Sequence, residues 1–259
     1  METTTISNKD SEVEKRVPTL INGFDKLIEG GFVKNSLNLI SGPAGSGKTI
    51  FCLQYVYNGV KYLKEPGVFI TLEESVESIR SSMKRFGIDL RKYERPDKFS
   101  LADLGAIRKE LSIEEEVQSG GLLDLDSLIE YIKGVISLTD AKRLVLDSLT
   151  AIGIKYHETS TIRQALFRLG RFLRDLGSTV LVTTESIPYQ NKYTRFGIEQ
   201  FIADSFILLN LTEINGILKR TILVRKMRHT NHDLHVHPYK ITSNGIEILK
   251  GRDFYNIKF

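Results

Sequence analysis

Residues 37–49 of the chain read Leu-Asn-Leu-Ile-Ser-Gly-Pro-Ala-Gly-Ser-Gly-Lys-Thr, and this stretch decides the fold. Its last eight residues, from Gly42 to Thr49, match the pattern G-x-x-x-x-G-K-[ST] in full. Glycines at these places let the backbone turn with positive φ and bring successive N–H groups close to phosphate oxygens. A strand predicted over 37–40 leads into the loop, and a helix predicted over 48–63 presents its positive N-terminal end to the same anion. The stretch therefore predicts a phosphate-binding loop.

The lysine and the hydroxyl of this motif have separate tasks. Lys48 would reach the β- and γ-phosphates of a nucleotide, and the Thr49 hydroxyl would bind Mg²⁺. An ordinary glycine turn is the competing interpretation, and it does not explain why the pattern follows a strand and opens a helix. The residues expected to bind the nucleotide here are Gly42, Pro43, Ala44, Gly45, Ser46, Gly47, Lys48, Thr49 and Ile50.

Three further carboxylates follow predicted strands. Asp147 ends the apolar run 144–146, and ligands of open parallel sheets bind at the carboxyl ends of strands. Asp147 should therefore hold Mg²⁺ through water, unless it is only a turn residue. Glu73 and Glu74 end the run 68–72, and hydrolysis needs a group that orients or deprotonates water. Neighbours on an extended chain point to opposite sides, so both carboxylates need not face the same water. We expect at least one of them to take part in catalysis together with Lys48, and Glu73 is the favoured candidate. The alternative is that both glutamates only stabilise the next helix through its dipole.

Strand-like and helix-like segments alternate along the chain, and strands crowd its last quarter. This order predicts an α/β fold with a mostly parallel central sheet flanked by helices, and with antiparallel strands added at the C-terminal end. Helices are predicted over 75–86, 126–137 and 162–176, and further strands over 144–146, 180–182, 206–211, 221–225 and 246–249.

Composition narrows the class of protein. The 259 residues are 41% hydrophobic and 26% charged, with no apolar run long enough to span a membrane and no apolar segment typical of a secretion signal. One cysteine, Cys52, cannot form an internal disulfide, so we expect a reducing, cytoplasmic setting. The net charge of +4 permits nucleic-acid contact without arguing for it. Residues 1–16 are polar and are predicted to be a flexible tail before a single domain over 17–259.

These pieces together resemble the RecA superfamily, and within it the KaiC-like ATPases and the archaeal RadA paralogs. Three residues depart from that pattern. Leu20 and Asn22 stand where small residues or proline are more usual, and His229 stands where glycine is common. Besides the phosphate loop, the resemblance rests on Val17–Thr19, Gly23–Leu27, Gly30-Gly31, Glu73–Ser75, Leu146–Leu149, Thr183–Glu185, Arg195–Phe201, Ala203-Asp204, Lys226–Arg228, Thr230, His232 and His237-Pro238.

The resemblance implies a RecA-like P-loop NTPase that binds ATP or ADP with Mg²⁺ and forms a ring, hexameric in the usual case, or a filament, with nucleotide between subunits. Lys226 and Arg228 would then act in trans on the γ-phosphate, as an arginine finger does, and His232 would lie near the base or ribose. Positions i and i+2 of a strand share a face, as a clamp requires. Their spacing alone favours the alternative, a surface strand on which Lys226 and Arg228 are two solvated basic side chains.

Two other groups of residues deserve separate interpretations. In RecA-like proteins the loop that corresponds to residues 185–196 lies towards the ring centre, so Lys192, Tyr193 and Arg195 could contact single-stranded DNA; a loop that only senses nucleotide is the alternative.

Four histidines fall within 229–237 and raise the question of a metal site. No cysteine or carboxylate cluster completes such a site, so a metal is not expected there.

The leading functional hypothesis is a Mg²⁺-dependent ATPase of the RadA-paralog type that acts as an accessory regulator of DNA recombination or repair. The chain has no room for the extra N-terminal DNA-binding domain of RadA recombinases, so strand exchange itself is not expected. A recombinase or single-stranded DNA would be the partner, and no membrane is expected. The alternatives are a KaiC-like signalling ATPase that phosphorylates itself or a partner, and a nucleotide-gated binding module with negligible turnover.

Overall fold

The computed structural model describes residues 14–104, 125–153, 158–187, 192–214 and 216–249. Within these ranges a nine-stranded sheet in the order β11-β10-β9-β8-β3-β7-β6-β4-β5 forms the centre of the fold, and β1 and β2 form a separate ribbon. The strands are β1 (Arg16–Val17), β2 (Phe32–Val33), β3 (Leu37–Gly42), β4 (Gly67–Thr71), β5 (Phe99–Asp103), β6 (Arg143–Asp147), β7 (Thr179–Glu185), β8 (Ser205–Ile214), β9 (Ile217–Met227), β10 (His237–Thr242) and β11 (Gly245–Ile248).

The sheet has the predicted mixture of directions. Strands β8, β3, β7, β6, β4 and β5 run parallel to one another, whereas β9, β10 and β11 are added antiparallel beyond β8. The register pairs Gly42 with Glu185 and Thr71 with Asp147. The residues that follow β3, β4, β6 and β7 therefore meet at one edge of the sheet. This confirms the α/β fold class; β5 and β10 are strands that the sequence did not predict.

Helices cover both faces of the sheet. They are α1 (Lys48–Asn58), α2 (Val76–Arg85), α3 (Leu125–Thr139), α4 (Leu149–Gly153), α5 (Thr159–Asp175) and α6 (Glu199–Ile202). Helix α1 continues as one wider turn over Gly59–Leu63, so the helical stretch predicted over 48–63 is confirmed. The Ser75 hydroxyl accepts a hydrogen bond of 3.3 Å from the Ser78 N–H and caps α2. The cap fixes where the chain leaves the sheet edge after Glu74.

The central strands are apolar on both faces because each face has its own core. Ile40, Phe69 and Val145 belong to the cluster under α1 and α2. Their neighbours Leu39 and Leu144 belong to the cluster under α3 and α5. Alternate residues of a strand point to opposite faces, so these continuous apolar runs are the signature of a sheet buried on both sides.

One buried charge lies between the sheet and α1. The Arg143 side chain has no solvent exposure, and its guanidinium donates to Glu65 Oε2 at 2.7 Å, the Tyr55 carbonyl at 3.0 Å and the Pro18 carbonyl at 2.9 Å. A Cβ at Gly59 would lie 2.2 Å from Arg143 Nε, so glycine is required where α1 widens. The arginine therefore ties β6, α1 and the entry segment together, with its donors satisfied.

The first described residues pair with the segment that leads into the sheet. Most of the tail expected over 1–16 lies outside the described residues, but Arg16 pairs with Val33 in the β1–β2 ribbon. Its guanidinium donates to Thr230 Oγ1 at 2.6 Å and to the His229 carbonyl at 2.8 Å. Arg16 is therefore part of the packed structure. The single domain over 17–259 stays a prediction. No helix in the described ranges combines the length and apolar character that crossing a bilayer needs.

Candidate functional site

The phosphate loop is built by the end of β3 and the start of α1. Gly47, which precedes the helix, has φ of +91°, a conformation that side chains with a Cβ rarely adopt. The Ser46 carbonyl accepts a hydrogen bond from the Tyr239 hydroxyl on β10, which braces the loop from the antiparallel edge. The Ser46 hydroxyl oxygen is buried and has no hydrogen-bond partner among the described residues. A buried polar atom without a partner is costly, so the loop is shaped for a polar ligand.

Lys48 turns back over the loop. Its ammonium donates to the carbonyls of Gly42 at 2.9 Å and Pro43 at 3.2 Å. Burial lowers the pKa of Lys48, although the carboxylates of Asp147, Glu185 and Glu73 oppose that shift. An anion placed beside this ammonium would restore the solvation that burial removes.

A hydroxyl–carboxylate pair lies next to the lysine. The Thr49 hydroxyl donates to Asp147 Oδ2 at 2.7 Å, and the Thr183 hydroxyl donates to Asp147 Oδ1. Burial raises the pKa of Asp147, while these two hydrogen bonds and the charge of Lys48 lower it. The structure thus brings the two predicted metal ligands, Thr49 and Asp147, together. Hydroxyl, carboxylate and phosphate oxygens are the ligands that Mg²⁺ prefers.

The two glutamates after β4 face different partners. Glu73 Oε1 accepts a hydrogen bond from the Ser148 hydroxyl, which follows Asp147. Glu74 Oε2 accepts one of 3.3 Å from the Ser78 hydroxyl on α2. Glu73 is therefore oriented by the strand that carries Asp147, whereas Glu74 is held at the start of the helix. The chain bends at residues 72–74, after β4 has ended, and the two carboxylates diverge there.

One cavity of about 630 Å³ is lined by the predicted catalytic and metal-binding residues and by Ser148, that is by Lys48, Thr49, Glu73, Glu74, Asp147 and Ser148. Sequence reasoning did not assign a role to Glu185, which ends β7, or to Arg220, which comes from β9 and donates to the Gly45 carbonyl at 3.2 and 3.3 Å. The cavity also has an apolar part of its lining, formed by Ile50, Leu53, Ile79, Met83, Phe86 and Ile241. A polar part and an apolar part in one cleft match a nucleotide, with phosphates against one and a base against the other.

Lys226, Arg228 and His232 do not line this cavity. Lys226 lies half-buried and donates to the carbonyls of Gln200 at 3.1 Å and Ala203 at 2.6 Å. Arg228 is half-exposed and forms an ion pair of 3.2 Å with Asp204. The buried Nε2 of His232 has no hydrogen-bond partner among the described residues. These three residues therefore lie outside the nucleotide cleft of their own chain.

The histidine-rich segment has a local organisation of its own. His229 has φ of +56°, a backbone conformation that favours glycine, the residue that the sequence resemblance leads one to expect at this position. Asp233 Oδ1 lies 3.0 Å from His235 Nδ1 and 3.0 Å from His237 Nε2, a carboxylate contact that the sequence interpretation missed. Within the described part of the chain, no group of His, Cys, Asp and Glu side chains has an arrangement that could hold a metal ion.

The predicted DNA loop over 185–196 is described at 185–187 and from residue 192 onward. The Tyr193 carbonyl accepts a hydrogen bond from the Ser41 hydroxyl, and the Arg225 guanidinium stacks 4.1 Å from the centroid of the Tyr193 ring. Lys192 and Arg195 are exposed. This segment returns to the sheet through Glu199, whose buried carboxylate accepts hydrogen bonds from Thr184 and from backbone N–H groups.

Known proteins resemble the chain over nearly its whole length. A family model described as "ATPase: KaiC" matches residues 17–253. The circadian clock oscillator protein KaiC of Synechococcus elongatus is 34% identical over 243 residues, which are 94% of this chain and 46% of that protein. A UPF0273 protein of Methanocaldococcus jannaschii is 37% identical over 237 residues, which are 90% of this chain and 95% of that protein. The chain thus spans about half the length of the clock protein and nearly all of the UPF0273 protein.

A solved structure supports the same relationship. The crystal structure of a KaiC-like protein from Pyrococcus horikoshii superposes with a TM-score of 0.79 and 39% identity, and the alignment covers 92% of this chain and 100% of that chain. The RecA-like fold implied by the sequence resemblance is therefore confirmed.

Proposed function

The chain belongs to the KaiC family of ATPases, and from that premise we propose that it binds ATP with Mg²⁺ in the cavity described above and hydrolyses it. The observation that carries this proposal is the meeting of Lys48, the Thr49–Asp147 pair and the Glu73–Ser148 pair at one end of a single cleft. The loop beside the cleft also fits the ligand, because the buried Ser46 hydroxyl lacks a partner among the described residues.

The proposed binding roles follow from position. The backbone of residues 42–50 and the Lys48 ammonium would hold the phosphates at the start of α1. The Thr49 hydroxyl would be a direct ligand of Mg²⁺, and Asp147 would hold the ion through water. When bound, the ion would neutralise phosphate charge as the terminal phosphoryl group leaves. Phe86 and Ile241 line the cleft and offer apolar surfaces for the base.

Glu73 is the proposed group that orients and deprotonates the attacking water. Its carboxylate lines the cleft and is held by Ser148, one residue from Asp147. Glu74 also lines the cleft, but its bond to Ser78 directs it towards α2. Catalysis by a positioned general base contributes roughly 10²- to 10⁴-fold to a rate.

The matched test compares Glu73→Gln with Glu74→Gln, because each removes one charge and keeps the side-chain size. We expect Glu73→Gln to lower the rate of phosphate release by roughly 10²-fold or more with little change in ATP affinity. Glu74→Gln should have a much smaller effect on that rate. Equal phosphate release by wild type and both variants would contradict the proposed chemistry and leave a nucleotide-gated binding module.

The third part of the proposal is that neighbouring subunits complete the site. Arg228 is half-exposed and lies outside its own cleft, and its surface ion pair with Asp204 can exchange for the γ-phosphate of an adjacent copy in a ring or filament. Lys226 is engaged with two carbonyls of its own chain and would have to leave them to do the same. His232, with its buried Nε2, would lie near the base or ribose of that neighbour.

The biological role is proposed separately from the chemistry. Exposed Lys192 and Arg195 beside Tyr193 support contact with single-stranded DNA and hence an accessory role in recombination or repair. The Lys192→Ala/Arg195→Ala variant should then lose salt-dependent DNA binding, and a wild type that binds no DNA would refute this role. The 34% identity to clock KaiC favours a signalling role instead. A gain of phosphate mass after incubation with ATP would support that alternative, and an unchanged mass would contradict it.

A further inference from the structure

Another cavity, of about 430 Å³, lies at the end of the sheet opposite the nucleotide cleft. Three of its lining residues come from the amino ends of parallel strands: Asn35 precedes β3, Lys142 precedes β6, and Thr179 begins β7. The phosphate loop and Asp147, by contrast, lie at the carboxyl ends of β3 and β6. The volume is of the size that small-molecule sites have. A ligand here would therefore be separate from a nucleotide in the cleft.

The lining of this cavity is strongly basic. Four of its side chains are cations, those of Lys15, Arg16, Lys34 and Lys142. Among the described residues, Glu65 contributes the one carboxylate of the lining. That carboxylate is already neutralised, because Glu65 Oε2 accepts a hydrogen bond of 2.7 Å from the buried Arg143 guanidinium. Clustered positive charge of this kind carries information that the modest net charge of the chain does not.

The four cations differ in how far the protein itself engages them. Arg16 is engaged, through its bonds to the 229–230 segment. Lys15 and Lys34 are exposed, and within the described ranges no ion pair or side-chain hydrogen bond involves either of them. Lys142 pairs with Asp140 at 2.7 Å where the side chains are 49% and 83% exposed, and so exposed a pair exchanges readily for another anion. Three ammonium groups are therefore available to a ligand.

A buried hydroxyl group belongs to the same lining. Thr179 is 1% exposed, and its Oγ1 accepts a hydrogen bond of 3.0 Å from the Asn35 N–H. The hydroxyl proton itself goes to no acceptor among the described residues. The backbone is fixed at this point, because the Thr179 N–H donates to the Lys142 carbonyl at 2.9 Å and the Thr179 carbonyl accepts from the Tyr55 hydroxyl at 3.1 Å. A held O–H donor without an acceptor favours an oxyanion.

We infer that this cavity binds a short inorganic phosphate chain, of the size of tripolyphosphate. Its oxygens would lie on the ammonium groups of Lys15, Lys34 and Lys142 and on the Thr179 hydroxyl. A chain with several charges is favoured over a single anion because three cations share the cavity. A nucleotide is not favoured, because the lining described has no aromatic side chain and its one large apolar residue, Val17, is buried. The inference does not depend on ATP binding or hydrolysis.

The test is calorimetric titration of the full chain with sodium tripolyphosphate in the presence of EDTA. The phosphate loop could hold the same anion, so the titrations use the Lys48→Ala chain, which should still bind. Adding Lys15→Gln/Lys34→Gln to that chain should weaken binding about tenfold, since each exposed ion pair is worth up to about fivefold in affinity. Adding Lys84→Gln/Lys98→Gln instead removes the same charge from exposed lysines elsewhere and should leave the affinity unchanged.

Four results would overturn the inference. Loss of all tripolyphosphate binding in the Lys48→Ala chain would place the anion in the phosphate loop. Equal affinities of the two lysine-pair variants would show that the cavity is not the site. Tighter binding of ATP than of tripolyphosphate by the Lys48→Ala chain would mean that a base is recognised. Equal competition by polyglutamate would indicate an acidic protein partner. A wild type that binds tripolyphosphate at this cavity but no ATP would contradict only the proposed ATPase function.

Discussion

Replacing Gly42 by alanine tests how closely the phosphate loop is packed against the sheet. Gly42 does not have a positive φ, so alanine can adopt its backbone conformation and the effect is one of space. A Cβ would lie 2.2 Å from the Leu209 carbonyl oxygen on β8 and 2.6 Å from Ser46 Oγ. Ordinary contact needs more than 1 Å of additional room, and the first obstacle is backbone. Overpacking of this kind costs about 1–3 kcal/mol in free energy of unfolding.

The assay is urea unfolding together with thermal melting of the purified chain. A loss of about 2 kcal/mol should lower the Tm by about 4–8 °C, and the displaced loop should also weaken ATP binding. Gly134→Ala is the matched control, because Gly134 lies within α3 and a Cβ added there would meet no atom within 4 Å outside its own helix backbone and chain neighbours. There alanine should raise stability by about 0.5–1 kcal/mol. A Gly42→Ala chain with the urea midpoint of the wild type would refute the packing argument.

Three further outcomes follow from the site and its surroundings. Because burial lowers the pKa of Lys48, ATP binding at alkaline pH should take up protons, measured as a dependence of calorimetric heat on buffer; equal heats would contradict it. Arg220→Ala should weaken ATP affinity about tenfold if the guanidinium beside Gly45 reaches phosphate, and an unchanged affinity would exclude that contact. Burial alone would raise the pKa of Asp233, but hydrogen bonds from the backbone N–H of His235 and from the imidazoles of His237 and His235 lower this pKa to about 2. The stability that this carboxylate contributes is therefore present above about pH 4 and lost as the pH falls through about 2. Asp233→Asn should cost about 1 kcal/mol at pH 7 in urea unfolding, with allowance for solvent screening, and less at pH 3; a cost independent of pH would contradict this account.

The sequence predicted the centre of the fold because its strands are apolar on both faces, a local signal. Two strands of the central sheet, β5 and β10, were missed and lack that signal. β5 (Phe99–Asp103) lies at the edge of the sheet, where β4 is its neighbouring strand, and it includes Ser100 and Asp103. β10 begins with His237 and Pro238, and proline argues against a strand. Its place in the sheet depends on pairing with β9 and β11, which no local pattern encodes.

The part of the candidate site that was predicted from the sequence is the part whose residues belong to local motifs. Residues 42–49, Asp147 and Glu73 stand in patterns whose spacing indicates their chemistry, and the structure brings Lys48, Thr49, Asp147 and Glu73 together in one cleft. Arg220 approaches Gly45 from 175 positions along the chain, and nothing near Arg220 marks it. Thr183 was noted in a stretch of the family pattern, but its bond to Asp147 depends on the neighbouring positions of β6 and β7. Contacts set by sheet order lie beyond what local sequence patterns encode.

The trans role of Arg228 can be separated from a structural role by mixing chains. A Glu73→Gln chain lacks the proposed base of its own cleft, and an Arg228→Ala chain lacks the group proposed to act on its neighbour. In a randomly mixed ring, about a quarter of neighbouring pairs combine an intact Glu73 with an intact Arg228 from the adjacent copy. Two nearly inactive samples should therefore recover about a quarter of the wild-type rate of phosphate release once their subunits exchange.

The control mixes the Glu73→Gln chain with one that carries both substitutions, since no pair is then complete. A mixture of the single variants that is no more active than this control would contradict action in trans. Lys226→Ala is unsuitable for the same experiment, because the Lys226 ammonium holds the carbonyls of Gln200 and Ala203. Its loss would disturb α6 in its own chain. The Arg228 side chain, half-exposed and bound only through a surface ion pair with Asp204 among the described contacts, can be removed with little effect on folding.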